Sequence, residues 1–299
     1  MALVAAGGLL YGQSMSVLSI QSHVAYGYVG NAAAVFPMQR LGVEVWPVHT
    51  VMYSNHKGYG DWDGVDMSTE AVASVLRGIE ARGVLPQCDA VLTGFIGVPD
   101  LTALIVETVA KVRAANPNAF YCCDPVMGDE VPGLYVASDL PGLIRSRLIP
   151  AADIVTPNQF ELHLLTGITP STLDEALKAA DALLAQGPRM VLLTSLKRVE
   201  TEPNHVEMLL VTGDDAWLVS TPLFDFPEPP NGSGDMTACL FTAHYLKKGD
   251  PAGALAATTA SIYAVFEATH RAKSREITMI DAQDVLVHPH RAFPVDKVR

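Results

Sequence analysis

Five residues, Asn231-Gly232-Ser233-Gly234-Asp235, hold the most chemistry in this 299-residue chain. They precede a stretch, Met236 to Lys248, with the composition of a helix. Small residues at a helix start leave backbone N–H groups free and unshielded, and the helix end adds roughly half a positive charge. Such a place suits a phosphate. A carboxylate beside an anion-binding turn is costly if both stay charged. Asp235 therefore reads as the base that takes a proton from an attacking hydroxyl.

Other polar residues stand just after strand-like runs. Ser22 and His23 follow Ser16 to Gln21. Asp124 follows Phe120 to Cys123, with Gly128-Asp129 beyond it. Thr156 and Asn158 follow Ile154-Val155, and Glu161 comes three residues later. Thr194-Ser195 follows Met190 to Leu193. In parallel α/β sheets, ligands bind beyond the carboxyl ends of the strands. Together these groups suit magnesium and nucleotide phosphate, although Asp124-Pro125 alone is explained by a turn and Asn158 with Glu161 by a helix start.

The elements that must carry these residues alternate. Helices are expected at Asn31 to Leu41 (capped by Asn31), Ser68 to Arg82, Asp100 to Ala114, Leu173 to Leu184, Asp235 to Lys248 and Ala252 to Ala268. Leu173, Leu177, Ala180 and Leu184 share one face of their helix. Strands are expected at Val43 to Val51 and Ala90 to Leu92, and a β-hairpin at Val206 to Val211 with Ala216 to Val219. Tyr53 to Gly64 reads as a loop. The pattern implies a largely parallel sheet covered on both faces, in one domain over residues 15–299. Residues 1–14 are expected to be a disordered leader or extension, lacking the basic start of a secretory signal.

Bulk properties narrow the function. The net charge of −12 opposes binding to nucleic acid or an anionic membrane. No run offers the ~20 apolar residues of a membrane span. The four cysteines include no C-x-x-C pair, and Cys122-Cys123 lies in an apolar run. They read as reduced, buried thiols of a cytoplasmic protein. P-loop, dinucleotide-binding and G-x-S-x-G motifs are all missing.

A set of motifs resembles the pyridoxal kinases, the vitamin B6 branch of the ribokinase superfamily. It comprises Ser22-His23-Val24-Ala25-Tyr26-Gly27-Tyr28-Val29-Gly30-Asn31, Phe36-Pro37-Met38-Gln39, Ser54-Asn55-His56 with Tyr59, and Val91-Leu92-Thr93-Gly94. Asp124-Pro125-Val126-Met127-Gly128-Asp129, Thr156-Pro157-Asn158-Gln159-Phe160-Glu161 and Gly232-Ser233-Gly234-Asp235 complete it. The last indicates only the superfamily, whereas Ser22-His23 and Ser54-Asn55-His56 point to the B6 branch. The resemblance runs from Met15 to about Pro289.

It implies a three-layer α/β/α fold without a separate lid domain, acting as a homodimer. It also implies transfer of the γ-phosphoryl of ATP to the 5′-hydroxyl of pyridoxal, pyridoxine or pyridoxamine. Asp235 is then the base, and Gly232, Ser233 and Gly234 form the anion hole. Ser22, Val51, Tyr53, His56, Lys57, Phe95 and Asp235 surround the acceptor. Asp124, Tyr135, Thr156, Glu161, Thr194, Ser195, Thr221 and Phe224 surround ATP. Asp124, Asp129 and Glu161 gather around Mg2+, and a K+ requirement is left open. Lys57 departs from the pattern, because many relatives carry Thr there. Either its side chain points away from an exposed loop, or its amine reaches the pocket and forms an imine with the aldehyde. His56 either bonds substrate or pins its loop, and His163 reads as structural. The rivals are a hydroxymethylpyrimidine kinase, a sugar kinase, and a catalytically weak B6-binding protein.

Overall fold

The computed structural model describes residues 15–299, so the expected leader at 1–14 lies outside the described residues. Ten strands form one sheet in the order β12-β11-β10-β9-β8-β5-β4-β1-β2-β3. They are β1 (Ser16–Val24), β2 (Glu44–Tyr53), β3 (Gly64–Asp66), β4 (Cys88–Thr93), β5 (Phe120–Cys123), β8 (Ile154–Val155), β9 (Met190–Leu196), β10 (His205–Thr212), β11 (Ala216–Pro222) and β12 (Val295–Lys297). A separate small hairpin pairs β6 (Gly128–Asp129) with β7 (Gly133–Leu134). The strands from β2 through β1, β4, β5 and β8 to β9 run parallel, and β3 and β10–β12 add antiparallel edges.

The helices are α1 (Asn31–Arg40), α2 (Thr69–Ala81), α3 (Leu101–Ala115), α4 (Leu140–Leu143), α5 (Ile149–Ala151), α6 (Gln159–Thr166), α7 (Leu173–Leu184), α8 (Ser233–Lys248), α9 (Pro251–Ala272) and α10 (Gln283–Val287). Two apolar cores flank the sheet, and alternate strand residues feed opposite ones. Phe120 and Cys122 of β5 enter one core; Tyr121 and Cys123 enter the other. The period of two along a pleated strand requires this split. It explains why the central strands read as unbroken apolar runs.

One helix matters most for chemistry. Every residue of α8 from Met236 to His244 is buried, with α1 and α9 alongside. Thr237 and Thr242 turn their hydroxyls back onto the carbonyls of Ser233 (2.7 Å) and Ala238 (2.8 Å), so neither needs water. Each large apolar side chain buried here contributes roughly 1.5–3 kcal/mol. The start of α8 is thus held rigidly at the sheet edge.

Several elements depart from the sequence expectation. β1 continues to Val24, so Ser22 and His23 lie in the strand, beside a register irregularity between Gln21 and His23. Asn31 is the first residue of α1, and Gly30 precedes it as the cap. The Asn31 carboxamide is buried instead, accepting from Ser19 Oγ (2.7 Å) and donating to the Val48 carbonyl (3.1 Å). Tertiary polar bonding outweighed its capping propensity. β9 likewise extends through Thr194 and Ser195. The buried face of α7 centres on Ala176, Ala179, Ala180 and Leu183, with Leu173, Leu177 and Leu184 at its margins. Small residues there allow close approach to the sheet. The Tyr53 to Gly64 loop contains a single tight turn, Lys57–Tyr59, and leads into β3.

Candidate active site

The carboxyl ends of β1, β5, β8 and β9 and the start of α8 meet at one edge of the sheet. α8 begins at Ser233, so Ser233, Gly234 and Asp235 form its first turn. Gly232 precedes it with φ of 90°. A Cβ on Gly232 would sit 1.9 Å from the Tyr28 carbonyl oxygen, so only glycine lets the turn close on the β1–α1 loop. The Asp235 carboxylate accepts from the Gly30 N–H and from its own N–H. Burial pushes its pKa up, and these two bonds oppose that. It is therefore an oriented, partly desolvated carboxylate in the first turn of α8.

An acidic pair lies next to it. Thr156 Oγ1 donates to Asp124 Oδ1 (3.0 Å), while the buried Oδ2 has no partner among the described residues. Burial, then the charges of Glu161 and Asp235, hold the Asp124 carboxyl well above its usual range. Glu161 closes a capping box on α6, accepting from the N–H groups of Asn158 (2.9 Å) and Met127 (2.9 Å). Burial raises its pKa to about 8 even so. Asp129 lies on the exposed β6–β7 hairpin, accepting from the Glu130 N–H (2.7 Å), and its charge adds to the rise at Glu161. Among the described residues no three acidic, His or Cys side chains converge to hold a metal. Asp124, Asp129 and Glu161 thus do not form the expected ligand set by themselves. The Glu161 oxygens are spent on backbone, and Asp129 is exposed; Asp124 alone keeps a free buried oxygen. Tyr135 follows the hairpin, its N–H on the Met127 carbonyl (3.1 Å). Burial and the charges of Glu161, Asp235, Asp124 and Asp129 raise its phenol pKa.

A groove of about 920 Å³ opens from the same turn. Thr194, Ser195, Thr221 and Phe224 line it together with Ser233 and Gly234, which unites the expected nucleotide residues with the anion hole. Asp124, Tyr135, Thr156 and Glu161 are not among its lining residues and belong to the acidic end. Ser195 reaches the groove through an unusual φ of 53°. Lys197 and Tyr263 also line it and escaped sequence reasoning. Lys197 could have been found as the cation two residues past Ser195. Tyr263 comes from α9 and carried no local signal.

A separate small apolar cluster groups Val24, Val29, Val51 and Tyr53, with Phe95 against it. Ser22 is buried beside Gly30, where a Cβ would fall 2.2 Å from its Oγ. The Tyr53 hydroxyl donates to Asp66, and Trp62 packs on the Tyr53 ring at 4.4 Å. The Lys57 amine lies 4.4 Å from the Trp62 ring centre, 5.0 Å from Tyr53 and 6.0 Å from Phe95. It reaches the pocket wall, against the reading of a side chain pointing away. His56 pins its loop, its Nδ1 accepting from the Gly58 N–H (3.1 Å). Trp62 and Asp66, just past the Ser54-Asn55-His56 motif with Tyr59, and Glu276, remote from any motif, were missed.

Glu276 ties the site together. It accepts from the Tyr59 hydroxyl and from the Tyr28 N–H (3.1 Å). The Arg275 guanidinium stacks 3.8 Å from the Tyr59 ring centre and pairs with Glu228 at 2.8 Å. The remaining candidates are inert. His163 Nδ1 bonds the Thr169 hydroxyl (2.9 Å). Cys122 and Cys123 are fully buried, and burial pushes Cys123 up to about 12, so no thiolate forms near neutral pH.

The phosphomethylpyrimidine kinase family model matches residues 48–279. Pyridoxal kinase PdxY of Deinococcus radiodurans is 52% identical over 95% of this chain and 96% of its own length. Pyridoxal kinase PdxY of Corynebacterium diphtheriae is 48% identical, over 95% of this chain and all of its own. Pyridoxal kinase from Leishmania donovani, solved with ADP and pyridoxamine, superimposes with a TM-score of 0.89 at 31% identity, covering 96% of this chain and 100% of that one.

Proposed function

The chain belongs to the pyridoxal kinase family, and from that premise we propose that it transfers the γ-phosphoryl of ATP to the 5′-hydroxyl of pyridoxal, with pyridoxine and pyridoxamine as further acceptors. One observation carries the reading beyond kinship. Asp235 joins two regions of different character: Ser233 and Gly234 of its own turn line the large groove, and its donor Gly30 directly follows Val29 of the apolar and aromatic cluster. A flat heteroaromatic ring suits the second.

The chemistry needs position and charge neutralisation more than covalent help. Asp235, oriented by the Gly30 N–H, takes the proton of the attacking hydroxyl. The N–H groups of Ser233 and Gly234 face the migrating phosphoryl. Val51, Tyr53 and Phe95 hold the ring faces, and Ser22 meets its polar substituents. Thr194, Ser195, Thr221 and Phe224 seat the nucleotide, with Tyr135 covering it.

A magnesium ion fits the acidic end. The unpartnered, buried Oδ2 of Asp124 is a hard oxygen donor in need of a cation. Mg2+ commonly takes one or two carboxylates and otherwise phosphates and water, so a full protein cage is unnecessary. Asp124 would hold it, Glu161 would set the local field, and the ion would neutralise phosphate charge. The reading extends to a cytoplasmic homodimer of single-domain chains, open to a K+ requirement. A coupled assay with ATP, Mg2+, each of the three vitamers and hydroxymethylpyrimidine tests it. Turnover highest on a B6 vitamer is expected. Turnover confined to the pyrimidine, or none, overturns it.

A further inference from the structure

We propose that Lys57 captures the 4′-aldehyde of pyridoxal as an imine and thereby releases the 5′-hydroxyl for phosphoryl transfer. The proposal rests on the reading that the acceptor is a B6 vitamer.

The amine is where such a reaction needs it. Its three nearest ring faces, Trp62, Tyr53 and Phe95, are the wall against which a pyridine ring would lie. Among the described residues no carboxylate pairs with it, so no ion pair must break before it moves. The backbone beneath is fixed, because Lys57 begins the one-turn helix capped by His56 Nδ1, and Tyr59 at its end is tethered to Glu276. The pocket also leads to the base. Val29 belongs to the same apolar cluster, and the next residue, Gly30, gives its N–H to Asp235. The 4′ and 5′ carbons sit on neighbouring ring positions. An aldehyde held at Lys57 would therefore leave the adjacent hydroxymethyl facing Asp235.

The chemistry supplies a reason for capture. Free pyridoxal closes on itself: its 5′-oxygen adds to the 4′-carbon as a cyclic hemiacetal. In that form the phosphoacceptor oxygen carries no proton to give. Opening the hemiacetal breaks the bond between C4′ and the ring oxygen, and the hemiacetal hydroxyl's proton returns to the 5′-oxygen. The Lys57 ammonium gives one proton to solvent, its nitrogen then adds to C4′, and the carbonyl oxygen leaves as water with the two remaining nitrogen protons. The imine anchors C4′ on Lys57, and held there it is turned away from the 5′-oxygen, which opposes ring closure. After transfer, water hydrolyses the imine, restoring the amine and freeing the phosphorylated aldehyde. Every step conserves electrons and needs only water. Pyridoxine and pyridoxamine, which lack the aldehyde, neither need nor receive this help.

The test begins with the unmodified full chain and pyridoxal without nucleotide. Borohydride reduction and peptide mass mapping should place a pyridoxyl group on Lys57. Lys57→Arg keeps the positive charge but cannot form the imine, so it should abolish the adduct. It should also lower the ratio of kcat/KM on pyridoxal to that on pyridoxine by about tenfold or more. A mapped peptide without an adduct, or an adduct confined to another lysine, overturns the proposal. So does an unchanged vitamer ratio in Lys57→Arg. If the unmodified chain phosphorylates no B6 vitamer, the underlying reading fails instead, and the two failures are distinguished by that single assay.

Discussion

Asp235 illustrates how one side chain can be specified by conflicting pressures. Burial favours its neutral form, while two N–H donors favour the charged one. The balance leaves a carboxylate that is basic enough to accept a proton and oriented before substrate arrives. Asp235→Asn removes the basicity and keeps the shape. We expect kcat to fall by ~10²–10⁴ with nucleotide affinity nearly unchanged. Steady-state kinetics with equilibrium binding of ATP decide it; undiminished turnover would sink the assignment. Asp124→Asn should act differently. It removes the one unpartnered buried carboxylate oxygen, so the Mg2+ concentration for half-maximal rate should rise at least several-fold. A Mg2+ titration at saturating ATP is the measurement, and an unshifted midpoint would place the ion elsewhere. At this scale the sequence was informative where motifs were contiguous, as at Gly232 to Asp235. It was blind to Glu276, which matters only because the chain folds back on itself, and to Trp62, a loop residue that no motif marks.

Among the elements, α8 does the positioning, and its two ends make separate predictions. Gly232→Ala places a methyl where the Tyr28 carbonyl stands, at a φ that L residues avoid. The cost should be roughly 1–3 kcal/mol of stability, with kcat reduced because the Gly30 N–H moves away from Asp235. Thermal melts and kinetics on the variant check both halves; a variant with normal turnover would show that the turn has slack. Further along, His244 is buried with Nε2 unpartnered. Burial, with Lys248 and Lys247 adding to it, lowers its pKa to about 4. An unfolded histidine titrates near 6.5, so only the unfolded chain binds this proton between about 6.5 and 4. Stability is therefore complete above pH 6.5 and is lost as pH falls toward 4, by on the order of 3 kcal/mol. His244→Phe should flatten that slope in denaturant titrations at several pH values; an unchanged slope would mean the ring is hydrated.

Element identities were largely legible, because the central strands and helices have strong periods and clear stops. Phe120–Cys123 and Leu173–Leu184 were placed to the residue. The end of β1, the cap of α1 and the short β3 were not, since each is decided by partners distant in sequence: the Asn31 network for one, pairing with β2 for another.

At the scale of the molecule, the Lys57–Tyr59 turn and the segment that borders the large groove are fastened to each other by a strap. Glu276 and Arg275 grip Tyr59 beside the acceptor pocket, and Arg275 reaches Glu228 in the segment that borders the nucleotide groove. A strap of this kind makes the two substrates thermodynamically linked. Ordering one loop on binding spares the other part of its ordering cost, and the gain is reciprocal by necessity. ATP should therefore tighten pyridoxal binding by the same factor as pyridoxal tightens ATP, several-fold on the scale of ordinary coupling energies. Arg275→Ala should bring that factor close to one while leaving each substrate's binding to the free enzyme little altered. Calorimetric titration of each ligand with and without a non-hydrolysable or non-accepting partner measures both factors. Unequal factors would expose a fault in the measurement, and an undiminished factor in the variant would show that the strap carries no information. The consequence for a cell is economic in kind: an enzyme coupled in this way would hold its vitamin several-fold more firmly with ATP in place to use it.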